Sequence, residues 1–267
     1  MKFQGRILYH LLFCFIILSF SNCNTTSEIG CEGFLFGQPI AKTGLNKNQC
    51  KPSCECKEFY AKIFKEEDLL ELKKWKLTEP FDQIITNPYN QPAPIVKEGV
   101  CAVVIDTLEN KTYHLEFFDD AIKAKTAGAF VTHYDNCGVC STLEDLAVYA
   151  GNIDIGADVK QCGLKNLNEP ITELIACIQE LGFTLPCAQI WAYNVRNTQK
   201  KCFELCIKNE PYNTKNGSLS PCLACDERVS GPVFKAIAGR TRRNTGIASS
   251  ICRKCEEVQP VEHDYPK

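Results

Sequence analysis

The sequence predicts an α+β protein in which a small antiparallel sheet is covered by C-terminal helices and stapled by disulfide bonds. Segments rich in β-branched and aromatic residues are confined to the middle of the chain, whereas the second half has apolar residues at helical spacing. The chain has 18 cysteines among 267 residues, a content typical of exported, disulfide-bonded proteins. With 45% hydrophobic residues, it can also bury a substantial core.

The predicted sheet consists of a hairpin and one further strand. Residues 100–105 and 112–118 are rich in β-branched and aromatic residues and are joined by a polar connection, which predicts an antiparallel hairpin. Residues 129–134 supply the third strand. The segment 66–77 has a helical apolar pattern, and the prolines that follow it up to Pro94 predict an irregular surface stretch.

The C-terminal half is predicted to be mainly helical. Residues 170–181 and 186–208 carry apolar residues at helical spacing, and Gly182 is placed to end the first of these helices. Ser220-Pro221 and Ser230-Gly231-Pro232 each have the signature of a helix start, with proline in the first turn.

The N-terminal residues 1–22 are predicted to be a cleaved signal peptide. Lys2 and Arg6 precede an apolar run over 7–20, and Ser19 and Ser21 are small residues suited to a cleavage site. The run is shorter than the ~20 residues that a membrane-spanning helix needs, and we expect no transmembrane segment once the signal is removed. We expect residues 23–60 to form an irregular cysteine-rich segment and residues 61–267 a single globular domain.

Export leaves two destinations open: secretion into the extracellular space, or a lipid anchor through Cys23 if the source is bacterial. Asn24, Asn110 and Asn216 begin glycosylation sequons, which predict a glycoprotein if the source is eukaryotic. Because an exported protein enters an oxidising compartment, disulfides are the expected state of most cysteines, although the sequence does not give their connectivity. Lys and Arg number 30 against 32 Asp and Glu, which argues against a nucleic-acid partner.

The strongest candidate for chemistry is the turn that contains Cys137 and Cys140. It follows the 129–134 strand and precedes a helix, where Ser141 and Glu144 have capping-box spacing. The positive end of a helix dipole favours thiolate over thiol, and His133 lies four residues before Cys137.

Three interpretations of this turn remain open at the level of sequence. A strand leading to Cys-Gly-x-Cys at a helix N-terminus is similar to the thioredoxin-like arrangement, over about 20 residues; the resemblance implies thiol–disulfide exchange, in which one thiol attacks and the other resolves. A Cys/His centre would instead use His133 as the base for a thiolate, oriented by Asp135 or Asp145. In the third interpretation both cysteines are bridged elsewhere and the turn is a structural staple.

Two cysteine pairs have the spacing of a zinc site. Cys222 and Cys225 are separated by 26 residues from Cys252 and Cys255, a pattern typical of zinc ribbons. Zinc is therefore the one cofactor that the sequence suggests, although export favours oxidation of both pairs. The residues His133, Asp135, Cys137 and Cys140 form a second candidate set of metal ligands.

A basic segment near the C-terminus is the candidate anion-binding site. From Arg228 to Lys254 there are seven basic residues and no acidic one. The candidate ligands of an anion are Lys235, Arg240, Arg242 and Arg243. Clustered guanidinium groups suit carboxylate, sulfate or phosphate. The alternatives are that these arginines complement a helix C-terminus, or that they form a dibasic processing site.

Two functional hypotheses follow. The first is an exported protein with a thiol-based centre at His133, Asp135, Cys137 and Cys140, whose partners are a small anionic ligand or a protein thiol or disulfide. The second is a non-catalytic extracellular protein, disulfide-stapled or zinc-stabilised, with a binding or structural role. The sequence leaves open whether the chain is an enzyme, and it does not give the oligomeric state.

Overall fold

The computed structural model describes residues 35–50, 62–208 and 210–266. The predicted signal peptide, Cys23 and most of the predicted cysteine-rich segment lie outside these residues. Within the described residues, no helix has both the length and the apolar character needed to cross a bilayer.

The first half of the chain supplies the sheet. Its elements are β1 (Leu35–Phe36), α1 (Glu66–Leu72), β2 (Lys76–Leu77), β3 (Val100–Thr107), β4 (Thr112–Phe118), α2 (Ala121–Thr126) and β5 (Phe130–Tyr134). The predicted hairpin and third strand are confirmed as β3, β4 and β5. The helix predicted over 66–77 ends earlier, at Leu72, because Lys76 N and Thr78 N bond to the carbonyls of Lys111 and Tyr113 at the sheet edge.

The second half is mainly helical, as predicted. Its elements are α3 (Leu143–Gly151), α4 (Ile155–Lys165), α5 (Ile171–Gln179), α6 (Leu185–Cys206), α7 (Pro221–Val229), α8 (Gly231–Ala238), α9 (Arg242–Thr245) and β6 (Arg253–Lys254). Both predicted serine-proline helix starts are found, because Pro221 and Pro232 occupy the first turns of α7 and α8.

The main sheet has the strand order β2-β4-β3-β5. Strand β3 lies at its centre and pairs antiparallel with both β4 and β5, so that Val100 is opposite Phe118 on one side and Tyr134 on the other. Strand β2 adds a short parallel pairing to β4 that the sequence did not predict. A separate two-stranded sheet joins β1 to β6. The fold class is therefore α+β, as predicted.

Two apolar clusters form the centre of the molecule. One lies between the sheet and the helices α1 and α3, where Trp75, Tyr113 and Leu146 are buried together. The other lies among the C-terminal helices, around Ile178 and Ile190. The turn between β5 and α3 reaches the second cluster through Val139 and Cys140, so the predicted chemical centre lies where sheet and helices meet.

Disulfide bonds connect these elements, as the composition predicted. The bonded pairs are Cys50–Cys252, Cys101–Cys137, Cys140–Cys187, Cys162–Cys177, Cys202–Cys225 and Cys206–Cys222. Cys255 is disulfide-bonded as well. Bridges that close long loops restrict the unfolded chain, and each contributes about 2–4 kcal/mol to stability.

Helix α3 begins one residue later than the predicted capping box. Thr142 is its N-cap, and the Thr142 hydroxyl accepts from Asp145 N at 2.9 Å. Ser141 is not the cap, because its Oγ accepts from Gly138 N at 2.8 Å and bonds to the His133 imidazole. The shift of one residue turns Asp145, rather than Glu144, toward the cap.

Candidate functional site

The two cysteines of the central turn are bonded to distant partners. Cys137 is joined to Cys101 on β3, with an S–S distance of 1.99 Å, and Cys140 is joined to Cys187 on α6, with an S–S distance of 2.02 Å. Neither sulfur is a thiolate, and the two are not bonded to each other. The structure thus contradicts the thiol-based centre and supports the interpretation of the turn as a staple.

His133 does not contact a cysteine sulfur as a catalytic base would. Its Nδ1 lies 2.7 Å from Tyr134 O, and its Nε2 lies 2.6 Å from Ser141 Oγ. Since a carbonyl can only accept, Nδ1 carries the proton and Nε2 accepts from the serine hydroxyl. The ring is fully buried, and burial, together with the nearby Arg240 charge, places the pKa of His133 well below its usual value. His133 is therefore a neutral, structural histidine.

Asp135, proposed with His133 as part of the centre, has a different role. It forms a salt bridge of 3.0 Å to Lys235 on α8. Its backbone has φ of 71°, which shapes the turn after β5. Asp135 thus fixes α8 to this turn instead of orienting an imidazole.

Arg240 was predicted to bind an anion, and the structure corrects this. The side chain is completely buried, with its guanidinium directed at protein acceptors. Its Nε donates to Cys140 O at 2.9 Å, and its Nη2 donates to Ser141 O at 3.0 Å and to Thr132 Oγ1 at 2.6 Å. A further bond of 3.1 Å joins Nη1 to Thr132 O. The second N–H of Nη1 lies 3.5 Å from Thr245 Oγ1. Arg240 therefore ties β5 and the disulfide-bonded turn together and has no donor left for an external anion.

The remaining cations of the predicted anion site also have internal partners. Arg242 donates to Tyr149 O at 2.8 Å and is held over the Tyr149 ring, and burial lowers the pKa of Arg242 to about 10. Arg243 lies 3.7 Å from a Glu227 carboxylate oxygen, and Lys235 is paired with Asp135. Lys235, Arg242 and Arg243 line one cavity whereas Arg240 does not, and each of the three already has a protein partner with which an anion would have to compete.

The predicted zinc ligands are oxidised. Cys222 and Cys225 on α7 are bonded to Cys206 and Cys202 of α6, and Cys252 is bonded to Cys50. Within the described ranges, no cluster of three or more His, Cys, Asp or Glu side chains is arranged to hold a metal ion. A disulfide sulfur lacks the negative charge that makes a thiolate a zinc ligand. The structure therefore corrects the prediction of a zinc site at these cysteines.

A cavity lies elsewhere, between the C-terminal helices. It has a volume of about 700 Å³ and is lined mainly by apolar side chains of α4, α6, α7 and α8. Its principal apolar residues are Val159, Leu164, Leu167, Trp191, Val195, Phe203, Ile207, Leu223 and Phe234. Cavities of about 300–1,000 Å³ with apolar walls and few polar groups are typical of small-molecule sites.

The mouth of this cavity exposes large apolar side chains. Leu164 and Leu167, in and just after α4, are 55% and 37% exposed, and Phe203 and Ile207, at the end of α6, are 44% and 59% exposed. All four line the same cavity. Single exposed apolar residues are common on protein surfaces, whereas several that line one cavity are a feature typical of interaction sites.

Aromatic rings form one wall of the cavity. The Trp191 ring lies 4.7 Å from that of Phe234, edge to face, and 6.2 Å from that of Tyr149. The Trp191 Nε1 donates to the Tyr149 hydroxyl at 3.0 Å. This bond fixes the orientation of the indole, so the aromatic wall is formed before any ligand arrives.

One carboxylate of this cavity lacks a cationic partner. Asp226 on α7 lines the cavity and accepts from Asn194 Nδ2 at 3.2 Å and from the Thr198 hydroxyl. In the described part of the chain no Lys, Arg or His forms an ion pair with it. Burial raises the pKa of Asp226 because the carboxylate has lost water, and the neighbouring Glu227 charge acts in the same direction, against the hydrogen bonds from Thr198 and Asn194.

Sequence reasoning did not identify this cavity. The helical stripe of α6 was visible in the sequence, and Trp191, Asn194 and Thr198 belong to it. Such a stripe normally predicts core packing. Phe203 and Ile207, four residues apart and outside this stripe near the end of the same helix, were the available signal that its C-terminal half has a second apolar face.

Comparison with known proteins gives one match. Residues 171–261, which include α5 to α8 and most of the cavity wall, match the model of a family of unknown function, DUF8771. Searches of curated proteins and of solved structures found no significant match. The match covers about a third of the chain and names no activity, so the function has to be argued from the geometry.

Proposed function

We propose that this chain is an exported, non-catalytic binding protein that holds a small apolar ligand in the cavity between α4, α6, α7 and α8. The observation that carries the proposal is the convergence of Leu164, Leu167, Phe203 and Ile207 on the opening of a single apolar cavity. A ligand that covered these side chains would remove their apolar surface from water, at about 25 cal/mol for each Å².

Disulfide bonds support the proposal because they preform the cavity. Cys202–Cys225 and Cys206–Cys222 join α6 to α7, and both Cys206 and Cys222 line the cavity. Cys162–Cys177 joins α4 to α5 on the other side of α6. Helices held in this way lose little conformational freedom when a ligand binds, which favours affinity.

So many disulfide bonds in one chain are consistent with an oxidising, extracellular compartment. This agrees with the predicted signal peptide, and secretion is the destination that we propose. Binding rather than catalysis is favoured because the residues first considered for chemistry have structural roles. His133 is buried and neutral, and Cys137 and Cys140 are bridged.

A fluorescence titration tests the proposal. The mature protein, with its disulfides intact, is titrated with N-phenyl-1-naphthylamine, an uncharged dye that fluoresces in apolar surroundings. We expect saturable binding of one dye per chain. A Phe203→Ser substitution, which removes part of the apolar mouth, is expected to raise the Kd about fivefold or more, since about 1 kcal/mol of apolar contact is lost.

Ile122→Ser is the matched control, because Ile122 is 77% exposed on α2 and does not line the cavity. The dye affinity of this variant should equal that of the unsubstituted protein. Circular dichroism and unfolding midpoints would show that both variants are folded. Absence of saturable dye binding, or equal losses in the two variants, would overturn the proposal.

A further inference from the structure

We propose that the ligand of this cavity carries a protonated amine, which binds at Asp226 while its apolar body lies against the rings of Trp191 and Phe234. This inference rests on the proposed binding function and specifies the class of ligand. No group in the chain is assigned this role by the family match, which describes a family of unknown function.

The position of Asp226 relative to the aromatic wall follows from helix α6. Trp191, Asn194 and Thr198 lie on one face of that helix, at spacings of three and four residues. Asn194 and Thr198, three and seven residues after Trp191, hold the Asp226 carboxylate through hydrogen bonds, so it lies between about one and two helical turns along α6 from Trp191. All of these side chains line the same cavity.

Six cationic and four carboxylate side chains line the cavity, so the preference for a cation at Asp226 depends on how these charges are paired and not on their number. Arginines on its wall already have acceptors: Arg242 donates to main-chain carbonyls, and Arg253 is paired with Glu227. Lys235 also lines the cavity, and its ammonium group is paired with Asp135, which does not line it. Asp226, by contrast, is hydrogen-bonded by neutral side chains and forms no ion pair within the described residues. A bound ammonium group would supply the missing countercharge.

The other free charges on this wall are located differently. Lys160, Lys208 and Glu210 line the cavity and are exposed to solvent, so their charged groups are hydrated without a ligand. The Asp226 carboxylate is partly desolvated, as its raised pKa indicates. A charge that has lost water gains more from a bound counter-ion than a hydrated one does, and this difference favours an amine over a carboxylate ligand.

The aromatic wall suits the same ligand. An ammonium group and the methylene next to it are attracted to the face of an indole or phenyl ring, and Trp is the strongest partner of this kind. Trp191 is fixed by its bond to the Tyr149 hydroxyl and packs edge to face on Phe234. The wall therefore offers ring surface close to the carboxylate.

The test compares ligands that differ only in their head group. Octylamine, 1-octanol and octanoate are each titrated as competitors of N-phenyl-1-naphthylamine bound to the unsubstituted protein. The titrations are made at pH 7, where the amine is protonated. We expect octylamine to compete at concentrations at least about tenfold lower than 1-octanol, with octanoate the weakest. This comparison needs no substitution and is unaffected by the folding of a variant.

An Asp226→Asn substitution then identifies the group responsible. We expect the preference for octylamine over 1-octanol to fall to about twofold or less, when each displacement is calculated with the variant's own dye Kd. Glu204→Gln is the control, because Glu204 is an exposed carboxylate of α6 outside the cavity and its loss changes the net charge equally. It should keep the full preference.

The outcomes distinguish this inference from the proposed function. Dye binding without a preference for octylamine, or with a preference for octanoate, would overturn the amine assignment and leave the binding function standing. A preference that survives in Asp226→Asn would also overturn the assignment. Absence of dye binding would overturn both proposals.

Discussion

The backbones of Gly138 and Gly239 are in direct contact. A Cβ atom on Gly138 would lie 2.6 Å from Gly239 N, and one on Gly239 would lie 2.5 Å from Gly138 N. The contact is maintained by main-chain hydrogen bonds of 2.9 Å from Val139 N to Ile237 O and from Cys140 N to Ala238 O. The turn that resembled a redox motif is thus packed against the end of α8, and the close approach leaves no room for side chains.

Alanine at either glycine should destabilise the fold. In Gly138→Ala the new Cβ would lie 2.3 Å from Ile237 O, and in Gly239→Ala the residue must also keep a φ of 71°. We expect each to lower the free energy of unfolding by about 2–4 kcal/mol, measured by urea denaturation with disulfides intact. Gly156→Ala in α4 is the control, because its Cβ meets nothing within 4 Å. If the three variants were equally stable, the close contact would be refuted.

The buried guanidinium of Arg240 should contribute strongly to stability. Lysine can reach only some of the acceptors that the arginine holds, so Arg240→Lys would leave at least one of the carbonyls of Thr132, Cys140 and Ser141 without a donor. Each unsatisfied buried group costs about 1–3 kcal/mol, and we expect a total loss of about 2–4 kcal/mol in urea unfolding.

The control for Arg240→Lys is Arg228→Lys, at an exposed position of α7. This substitution should leave the unfolding midpoint unchanged. A similarly small effect of Arg240→Lys would mean that the three carbonyls do not depend on the guanidinium.

Elements with strong local signals could be predicted from the sequence. The hairpin over β3 and β4 followed from its β-branched and aromatic content, and α6 followed from its long apolar stripe. These patterns arise from neighbours two to four residues apart, so they are present in the sequence whatever the tertiary structure. The cap at Thr142 was misplaced by one residue because Ser141, an equally suitable cap, is used by His133 instead.

Tertiary pairing could not be predicted. Cys137 and Cys140 are neighbours in sequence but bond to Cys101 and Cys187, and the choice depends on how β3 and α6 pack around the turn. Disulfide formation requires Cβ atoms about 4 Å apart, a distance that only the fold determines. The local resemblance to a redox motif therefore carried no information about the partners.

The burial of Arg240 within the basic segment could not be predicted from the sequence either. Arg240 and Arg243 are three residues apart in one cluster, yet Arg240 is completely buried, whereas the Arg243 side chain is 41% exposed. Gly239 packs against Gly138, and this contact directs the side chain of the next residue, Arg240, into the interior. A count of positive charges predicts an anion site only where the side chains reach solvent.

Peptide mapping should find the two bridges of the central turn. Proteolysis of the unreduced protein at low pH, which prevents disulfide exchange, is expected to give linked peptides for Cys101–Cys137 and Cys140–Cys187. Because Cys140 and Cys187 share a disulfide bond, alkylation of the denatured, unreduced protein should leave both unlabelled. A Cys137–Cys140 bond, or free thiols at these positions, would restore the redox interpretation.

Acid should destabilise the protein through its buried histidines. Burial lowers the pKa of His263 from 6.5 to about 3, and His263 Nε2 is held 2.8 Å from Thr245 O. Because the unfolded chain binds a proton more readily, stability is lost as pH falls from about 6.5 toward 3, by roughly 5 kcal/mol for this group. His133 acts in the same direction.

The measurement is urea unfolding at pH 7 and at pH 4.5, compared with His263→Gln, whose amide can still donate to Thr245 O. The variant should be less stable at pH 7 but should lose less on acidification. Equal losses in the two proteins would show that His263 does not contribute to the pH dependence.

Asp145 should act in the opposite direction over a narrower range of pH. Its completely buried carboxylate accepts hydrogen bonds from Thr184 N at 2.9 Å and from the Thr142 hydroxyl at 2.6 Å. These bonds lower the pKa of Asp145, but the effect of burial is larger and raises it from 3.8 to about 6. The folded state therefore holds this proton more tightly than the unfolded state. Its contribution is complete below about pH 4 and is lost as pH rises to about 6, an amount of about 3 kcal/mol.

An Asp145→Asn variant isolates this contribution, because its amide carries no titrating proton. The difference in unfolding free energy between variant and unsubstituted protein, measured at pH 4 and pH 7, should shift by about 3 kcal/mol in favour of the variant at the higher pH. The histidines titrate in both proteins and cancel in this difference. A difference that stays constant across this range would mean that the carboxylate is ionised in the folded state throughout, held by its threonine donors despite its burial.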